Sequence, residues 1–313
     1  MLSPRLLILS MYEPEDEMSG EQSAIRNALG LDKQQYVKAA KRCVYYNEQG
    51  VASFLLGIGP SEPAIRLMAL SLSGEVDLRD CWVIIAGIAG ADPMSASLGS
   101  VIWSRCVVDG DLAFDIDGRE IPQDWPTGIF ALGSNGPGRD VDWAFGQKMA
   151  YDLPGEMLER CFAASCNVPL MDSVGIGLER YRYEAFSKAR EKPMVGKGGS
   201  LACSRFWHGE HHTQWARGWV SQWTRGRDSL VTSNMEDVGT LRALSHLSEL
   251  GVLAFEKVAC ARSVSNFCMP PAGKTAAENI AADGKESDRY PALEASLENL
   301  GRVIQAAAAD LLK

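Results

Sequence analysis

Short apolar runs that end in glycines, helix-forming segments between them and a last segment with an Ala/Leu face predict an α/β protein, its helices covering a central sheet. Two successive units carry most of this reading, VASFLLGIGP from Val51 and CWVIIAGIAG from Cys81. Each reads as a buried strand followed by a glycine turn. At 313 residues the chain is long enough for one large or two modest domains with a sizeable core.

The elements follow in order. Leu6 to Leu9 is a continuous apolar run of strand length, and it leads into EPEDEMSGEQ, which has loop composition. Residues 34 to 49 are expected to form a helix. The strand beginning at Val51 closes on Gly57 and Gly59, and Glu62 to Leu72 reads as a helix with Pro63 at an early, tolerated position. That glycine pair precedes a helix N-terminus but lacks GxGxxG spacing, and Pro60 removes an amide, so it reads as a tight turn beside a pocket. Gly99 to Asp117 alternates and carries an Asp-Gly pair, which predicts further, partly antiparallel strands. Residues 139 to 192 form a helix-rich excursion. VGKGGS at 195 to 200 reads as a flexible turn, because its spacing is not that of a phosphate-binding GxxxxGK[ST] loop. A helix from Val238 to Leu250, a core strand within GVLAFEKVACARSVSNF and a last helix near Pro291 to Leu312 complete the chain.

Composition narrows the function classes. A content of 46% hydrophobic and 23% charged residues is that of a soluble globular protein. A net charge of -9 without a long Lys/Arg run argues against a nucleic-acid polymer as partner. Eight cysteines without a CxxC pair are read as free thiols in a reducing compartment, so a cytoplasmic location is expected. The longest near-apolar run, Cys81 to Ala91, is far shorter than the roughly 20 residues of a bilayer-crossing helix. No membrane span is expected, and the N-terminal LLILSMY is a poor signal peptide because acidic residues follow it directly.

The stretch VTSNMEDVGT, residues 231 to 240, is the most informative. Asp237 suits the N-terminus of the helix that follows, where unpaired amides and the helix dipole favour a carboxylate. Capping explains one acid and leaves Glu236, at the mouth of a strand where α/β proteins contact ligands.

With this stretch stand ILSMYEPEDE (8–17), IIAGIAGADP (84–93), LGSVIWSR (98–105), DIDGREIP (115–122), FWHG (206–209), SNMEDVGTL (233–241) and ARSVSNFCMP (261–270). Through these motifs nearly the whole chain resembles the purine nucleoside permease family and, more widely, the nucleoside phosphorylases and the methylthioadenosine/S-adenosylhomocysteine nucleosidases. The resemblance implies one nucleoside phosphorylase-like domain over residues 1–313, a three-layer α/β/α sandwich whose central mixed sheet is partly barrel-like. It implies a small-molecule nucleoside as partner, no cofactor, and a possible homo-oligomer. Met235 and Glu236 match the pair that holds the ribose in those enzymes, the methionine packing on the sugar and the carboxylate accepting from two adjacent hydroxyls. Asn234 and the stretch Gly87, Ile88 and Ala89 complete the expected substrate contacts.

Cleaving a C1′–N bond builds positive charge on the sugar and negative charge on the base, so a sugar clamp and a donor to the leaving base are needed. Asn266 stands where the resembled enzymes place an Asp or Asn aimed at the purine. Its amide can donate a hydrogen bond but cannot deliver a proton, and Asn is equally an ordinary turn residue. Phe206 matches an aromatic that stacks on the base; a plain core aromatic is the other reading. His208 is a candidate for the sugar 5′-hydroxyl or the base, although a lone His is commonly structural. His211 and His212 are read as a solvated turn and not as a metal site, since adjacent side chains diverge and no second cluster matches them.

The nucleophile decides the enzyme class. Where the phosphorylases hold phosphate with Arg and Ser, this chain has IAGI, with Ile85 and Ile88 in place of both. The nucleosidases activate water with a glutamate just after the first strand. Glu13 is in about that position, with Glu15 and Glu17 behind it, although an acidic loop is also a common solvated surface. The expected activity is therefore hydrolysis of a purine nucleoside to free base and ribose. A phosphorylase using phosphate as co-substrate, held by Arg26 or Arg66, is the alternative, and a nucleoside-binding or transport-associated protein without turnover is a third.

Overall fold

Alternation along the first strand sets the layers. In β1 (Leu6–Ser10), Leu7 and Leu9 face one apolar cluster while Leu6 and Ile8 face another, so both sheet faces must be covered. The computed structural model describes residues 1–14, 19–139, 141, 148–281 and 291–313.

After β1 come α1 (Glu21–Leu29), the strands β2 (Lys33–Val37), β3 (Arg42–Tyr46) and β4 (Val51–Leu55), and α2 (Ser61–Ser71). Long strands β5 (Trp82–Ala91) and β6 (Val101–Asp109) follow, then short β7 (Ala113–Asp115), β8 (Ile129–Ala131) and β9 (Ala150–Asp152). The excursion holds α3 (Gly155–Ser165), α4 (Val174–Tyr181) and a 3-10 turn at Lys188–Arg190, while its positions 140 and 142–147 lie outside the described residues. The rest is β10 (Val195–Ala202), α5 (Glu210–Thr224), β11 (Leu230–Asn234), α6 (Asp237–Glu249), β12 (Val258–Phe267), α7 (Ala276–Ala281) and α8 (Leu293–Leu311).

The main sheet runs β11-β10-β6-β12-β5-β1-β4-β3-β2, with β9 on β6. It is mixed. β1 lies parallel to β4 and β5, and β5 parallel to β12, whereas β12 meets β6 antiparallel at Ala261–Ser263. β11 also pairs back, antiparallel, onto Gly90 and Ala91 of β5, so β5, β12, β6, β10 and β11 form a closed ring within the larger sheet. That ring is the partial barrel. Helices α1, α3 and α8 cover one face around Leu300, Val303 and Ile304, and α2 and α6 the other around Leu67, Leu70, Leu241 and Leu244. The result is an α/β/α sandwich of the nucleoside phosphorylase kind. Among the described residues no helix is long and apolar enough to cross a membrane.

Three expectations about local structure are corrected. Residues 34–49 form the β2-β3 hairpin and not a helix: Tyr36, Val37, Val44, Tyr45 and Tyr46 suit a pleated surface, and Lys41 turns the chain with a positive φ. Residues 195–200 are strand and not turn. Cβ atoms at Gly198 and Gly199 would run into Val231 and the Ser229 carbonyl, so these glycines admit a close neighbour. The glycines of IIAGIAG likewise lie inside β5 and do not end it.

Candidate active site

A cleft of about 180 Å³ opens where the ends of β1, β5, β11 and β12 converge. Its sugar-side candidates come from the turn between β11 and α6. Asn234 organises that turn: its Oδ1 accepts from the amides of Glu236 (3.1 Å) and Asp237 (3.0 Å), and its Nδ2 donates to Ser200 Oγ and to Asp237 Oδ2. Asn234, and not Asp237, thus satisfies the first amides of α6, correcting the capping role expected of Asp237. Met235 and Glu236 are left lining the cleft.

Asp237 has another task. Arg262, in the middle of β12 and wholly buried, forms a close pair with Asp237 and lies 3.3 Å from Glu236 Oε2. Its Nη1 also donates to the Ile88 carbonyl at 3.0 Å. Burial pushes the Glu236 carboxyl up to about 7, against the pull of Arg262 and reinforced by the nearby Glu21 and Asp237.

Glu21, the first residue of α1, supplies a second carboxylate to the cleft. Its Oε2 accepts from the amides of Met11 (2.7 Å) and Tyr12 (3.0 Å), and its Oε1 accepts from Ile88 N at 2.7 Å. The side chain is 1% exposed; burial raises its pKa, opposed by Arg262 and the three amides. Gly87 makes this packing possible. A Cβ there would run into both Arg262 Nη1 and Glu21 Oε1. Gly87 therefore stands behind the site and is not among the lining residues, whereas Ile88 and Ala89 are.

Glu13, expected as the base, lies elsewhere. Its two oxygens accept from the amide and hydroxyl of Ser23 in the first turn of α1, and it does not line the cleft. Its role there is to satisfy a helix terminus. Glu15 and Glu17 lie outside the described residues. Two features could have pointed to the carboxylate that does reach the cleft: Glu21 begins a helix just after the first strand, and Arg262 is a cation inside an apolar strand, which demands buried acids around it.

Asn266 also lines the cleft; it is 5% exposed, its Oδ1 accepts from Ser265 Oγ and its Nδ2 donates to the Phe267 carbonyl. Gly90 leaves room beside it for that amide. Phe206 also lines the cleft but is 44% exposed, so it is not a core aromatic. Arg205 and Trp207, on the same loop, line it too and were not singled out in the sequence. His208 does not line it. Its Nε2 meets Asn279 Nδ2 at 3.2 Å, and burial pushes its pKa down to about 4, so the ring is neutral near pH 7. His211 and His212 are exposed on the first turn of α5, a helix where a turn was expected. Among the described residues no His, Cys, Asp and Glu side chains cluster to hold a metal. Arg26 stacks on Tyr45 and Arg66 pairs with Glu62; neither lines the cleft.

Comparison with known proteins bears on the family and the fold. The chain matches the family model described as purine nucleoside permease (NUP) over residues 3–313. A probable purine nucleoside permease of Schizosaccharomyces pombe is 28% identical over 240 residues, covering 74% of this chain and 69% of that protein. A purine nucleoside permease of Candida albicans is 22% identical over 255 residues, and the match spans 80% of this chain but only 61% of that relative. Among solved structures, a 5'-methylthioadenosine/S-adenosylhomocysteine nucleosidase from Neisseria meningitidis superposes with a TM-score of 0.55 at 13% identity, covering 98% of this chain and 99% of that one. Futalosine hydrolase of Helicobacter pylori gives 0.57 at 13%, covering 98% and 97%. At such identities these two structures establish a shared fold.

Proposed function

We propose that the chain, which belongs to the purine nucleoside permease family, hydrolyses the N-glycosidic bond of a nucleoside. The observation that supports this best is the constellation at one wall of the cleft: two buried carboxylates, Glu21 and Glu236, with the buried guanidinium of Arg262 beside them. Glu236 accepts from the ribose hydroxyls, Met235 packs on the sugar, and the developing positive charge at C1′ faces an anionic wall. Glu21 takes a proton from water as the water oxygen bonds to C1′; the C1′–N bond breaks and its electron pair leaves with the base. Asn266 donates to the departing base and Phe206 stacks on it. Arg262 pairs with Glu236, three backbone amides hold Glu21, and the charge of Arg262 favours the ionised form of both acids.

Water is the second substrate in this reading, and no organic cofactor takes part. Phosphate would be the co-substrate only of a phosphorylase. The neighbouring nucleosidase folds support the hydrolytic reading, while the permease names of the sequence relatives leave room for a nucleoside-binding role. Product analysis separates them. Adenosine, inosine, guanosine and uridine are incubated in phosphate-free buffer and again with phosphate added. Free base with ribose in both buffers is the expected result; ribose 1-phosphate, formed only with phosphate, would replace hydrolysis by phosphorolysis. Tight nucleoside binding without products would point to the binding role.

A further inference from the structure

Helix α2 carries apolar residues on two opposite faces. On α8 the exposed positions are Glu294, Glu298, Gln305 and Ala309, the mostly polar outer side expected of a helix that covers a sheet. On α2 the inner face is Pro63, Leu67 and Leu70, on the side of α6. The outer face is apolar as well: Ile65 is 63% and Leu72 56% exposed, with half-buried Met68 and Ala69 between them. These four stand at i, i+3, i+4 and i+7, one stripe along a helix. A helix apolar on both sides belongs in an interior, and the described residues supply no cover for this stripe.

The charges beside the stripe match those of a second copy of the same helix. Glu62 and Arg66 pair with each other at 2.6 Å, yet their side chains remain 52% and 23% exposed. Turned antiparallel, another α2 sets each acid opposite the other chain's base; laid parallel, it would set like against like. The stripe also leads to the cleft. Ile58, just ahead of α2, lines the cleft and is 52% exposed, so the wall is only half built there. The start of α2 is pressed against the turn that carries Met235 and Glu236: a Cβ at Gly239, in the first turn of α6, would run into the Pro60 carbonyl. Whatever rests on α2 therefore bears on the cleft.

We propose that a second copy of this chain docks on the outer face of α2 about a two-fold axis near Ile65, and that it completes the cleft rim with its own Leu72. Leu72 lies seven residues beyond Ile65 and Ile58 seven before it, about 10 Å along a helix axis in each direction. An antiparallel pair centred on Ile65 thus brings the partner's Leu72 level with Ile58, and the same contact repeats at the other end of the pair. Each cleft gains an apolar side chain where Ile58 alone leaves the wall open to solvent.

Sedimentation and oxidation test the contact independently of any activity. At micromolar concentration the parent should sediment as a dimer, and Ile65→Glu, which sets like charges together at the axis, as a monomer with an unchanged circular-dichroism spectrum. Ile65→Cys should form an interchain disulfide on mild oxidation far faster than the parent, whose own free cysteines set the background. A monomeric parent, a dimer that survives Ile65→Glu, or an Ile65→Cys variant that cross-links no faster than the parent overturns the proposal. In the second case the exposed Val174 and Leu178 of α4 become the place to look. The role at the cleft rests on the nucleoside reading, and calorimetry tests it with whichever of adenosine, inosine, guanosine and uridine the parent binds most tightly. Leu72→Ala, at a concentration where it is dimeric, should weaken that binding by about tenfold, the scale of one lost apolar contact. Unchanged affinity in both Leu72→Ala and the monomeric Ile65→Glu overturns the completion of the cleft. If the parent binds none of the four, the nucleoside reading fails while the sedimentation result still decides the contact.

Discussion

The two walls of the cleft are built differently. On one wall, Asn234, Glu236, Asp237 and Arg262 share hydrogen bonds and ion pairs, Glu21 is held beside them by the amides of Met11, Tyr12 and Ile88, and all five are at least nine-tenths buried. The wall formed by the loop after β10 is more open: Phe206 is 44% exposed, and the Arg205 side chain is part-exposed with Asp115 no nearer than 3.8 Å. A network closed on itself fixes geometry, whereas donors left open can adapt to what arrives. In the proposed reading, the chemistry belongs to the rigid wall and the contact with the base to the open one.

Breaking the rigid wall should have the largest consequence. Arg262→Met leaves Asp237 and Glu236 buried without their counter-charge, and a loss of roughly 3 to 5 kcal/mol of folding free energy is expected in urea titrations. A stability unchanged within error would mean the network is not what holds this wall. Next comes Glu21→Gln, which nearly keeps the volume and removes the proposed base. Turnover should fall by about 10²- to 10⁴-fold, and the urea midpoint should fall as well because the new amide nitrogen faces a backbone donor at Ile88 or at Met11 and Tyr12; retained turnover in the folded variant would remove Glu21 from the mechanism.

Protonation offers a third probe. The folded pKa of Glu236 is raised from its ordinary 4.5 to about 7, so the relative stability it provides is complete below about 4.5 and lost as pH rises through 7. Compared with Glu236→Gln, the parent should therefore become less stable between about pH 5 and pH 8, by roughly 3 kcal/mol or less. A constant difference across that range would place the carboxyl in a more solvated setting. On the open wall, Phe206→Ala should weaken nucleoside or base binding by about 1 to 3 kcal/mol with no change in thermal stability. Smallest of all, Glu13→Gln should leave kcat within a few-fold and lower stability by about 1 kcal/mol, as loss of a helix-terminal contact does.

The same division governs what could be read from the sequence. Continuous apolar runs such as Leu6–Leu9 and Val51–Leu55 announce buried strands, because burial on both faces removes the need for alternation. The place of Met235 and Glu236 at the cleft was legible, since they follow a strand directly and resemble a known motif. Gly87, Gly198 and Gly199 were not legible as strand residues. Each makes room for a side chain or carbonyl distant in sequence, and a local reading sees only a turn former. Glu21 was missed for a related reason: the choice between it and Glu13 depends on where the first helix begins, and its partners Ile88 and Arg262 lie far along the chain. Arg205 had no local signal as a cleft residue, since an arginine in a loop is ordinary in sequence and its place beside the cleft depends on the fold.

The closure of β5, β12, β6, β10 and β11 into a ring has a further consequence, for traffic. Strands joined into a hoop cannot part without losing several ladder bonds at once, so the sheet offers no hinge through which a nucleoside could enter or a base escape. Exchange must pass over the rim, across the segment carrying Phe206 and past Ile58 and Leu293, which stand at the ends of other elements. The rate of release would then depend on the rim and the rate of bond cleavage on the hoop, so that the two steps could be tuned by separate sets of substitutions.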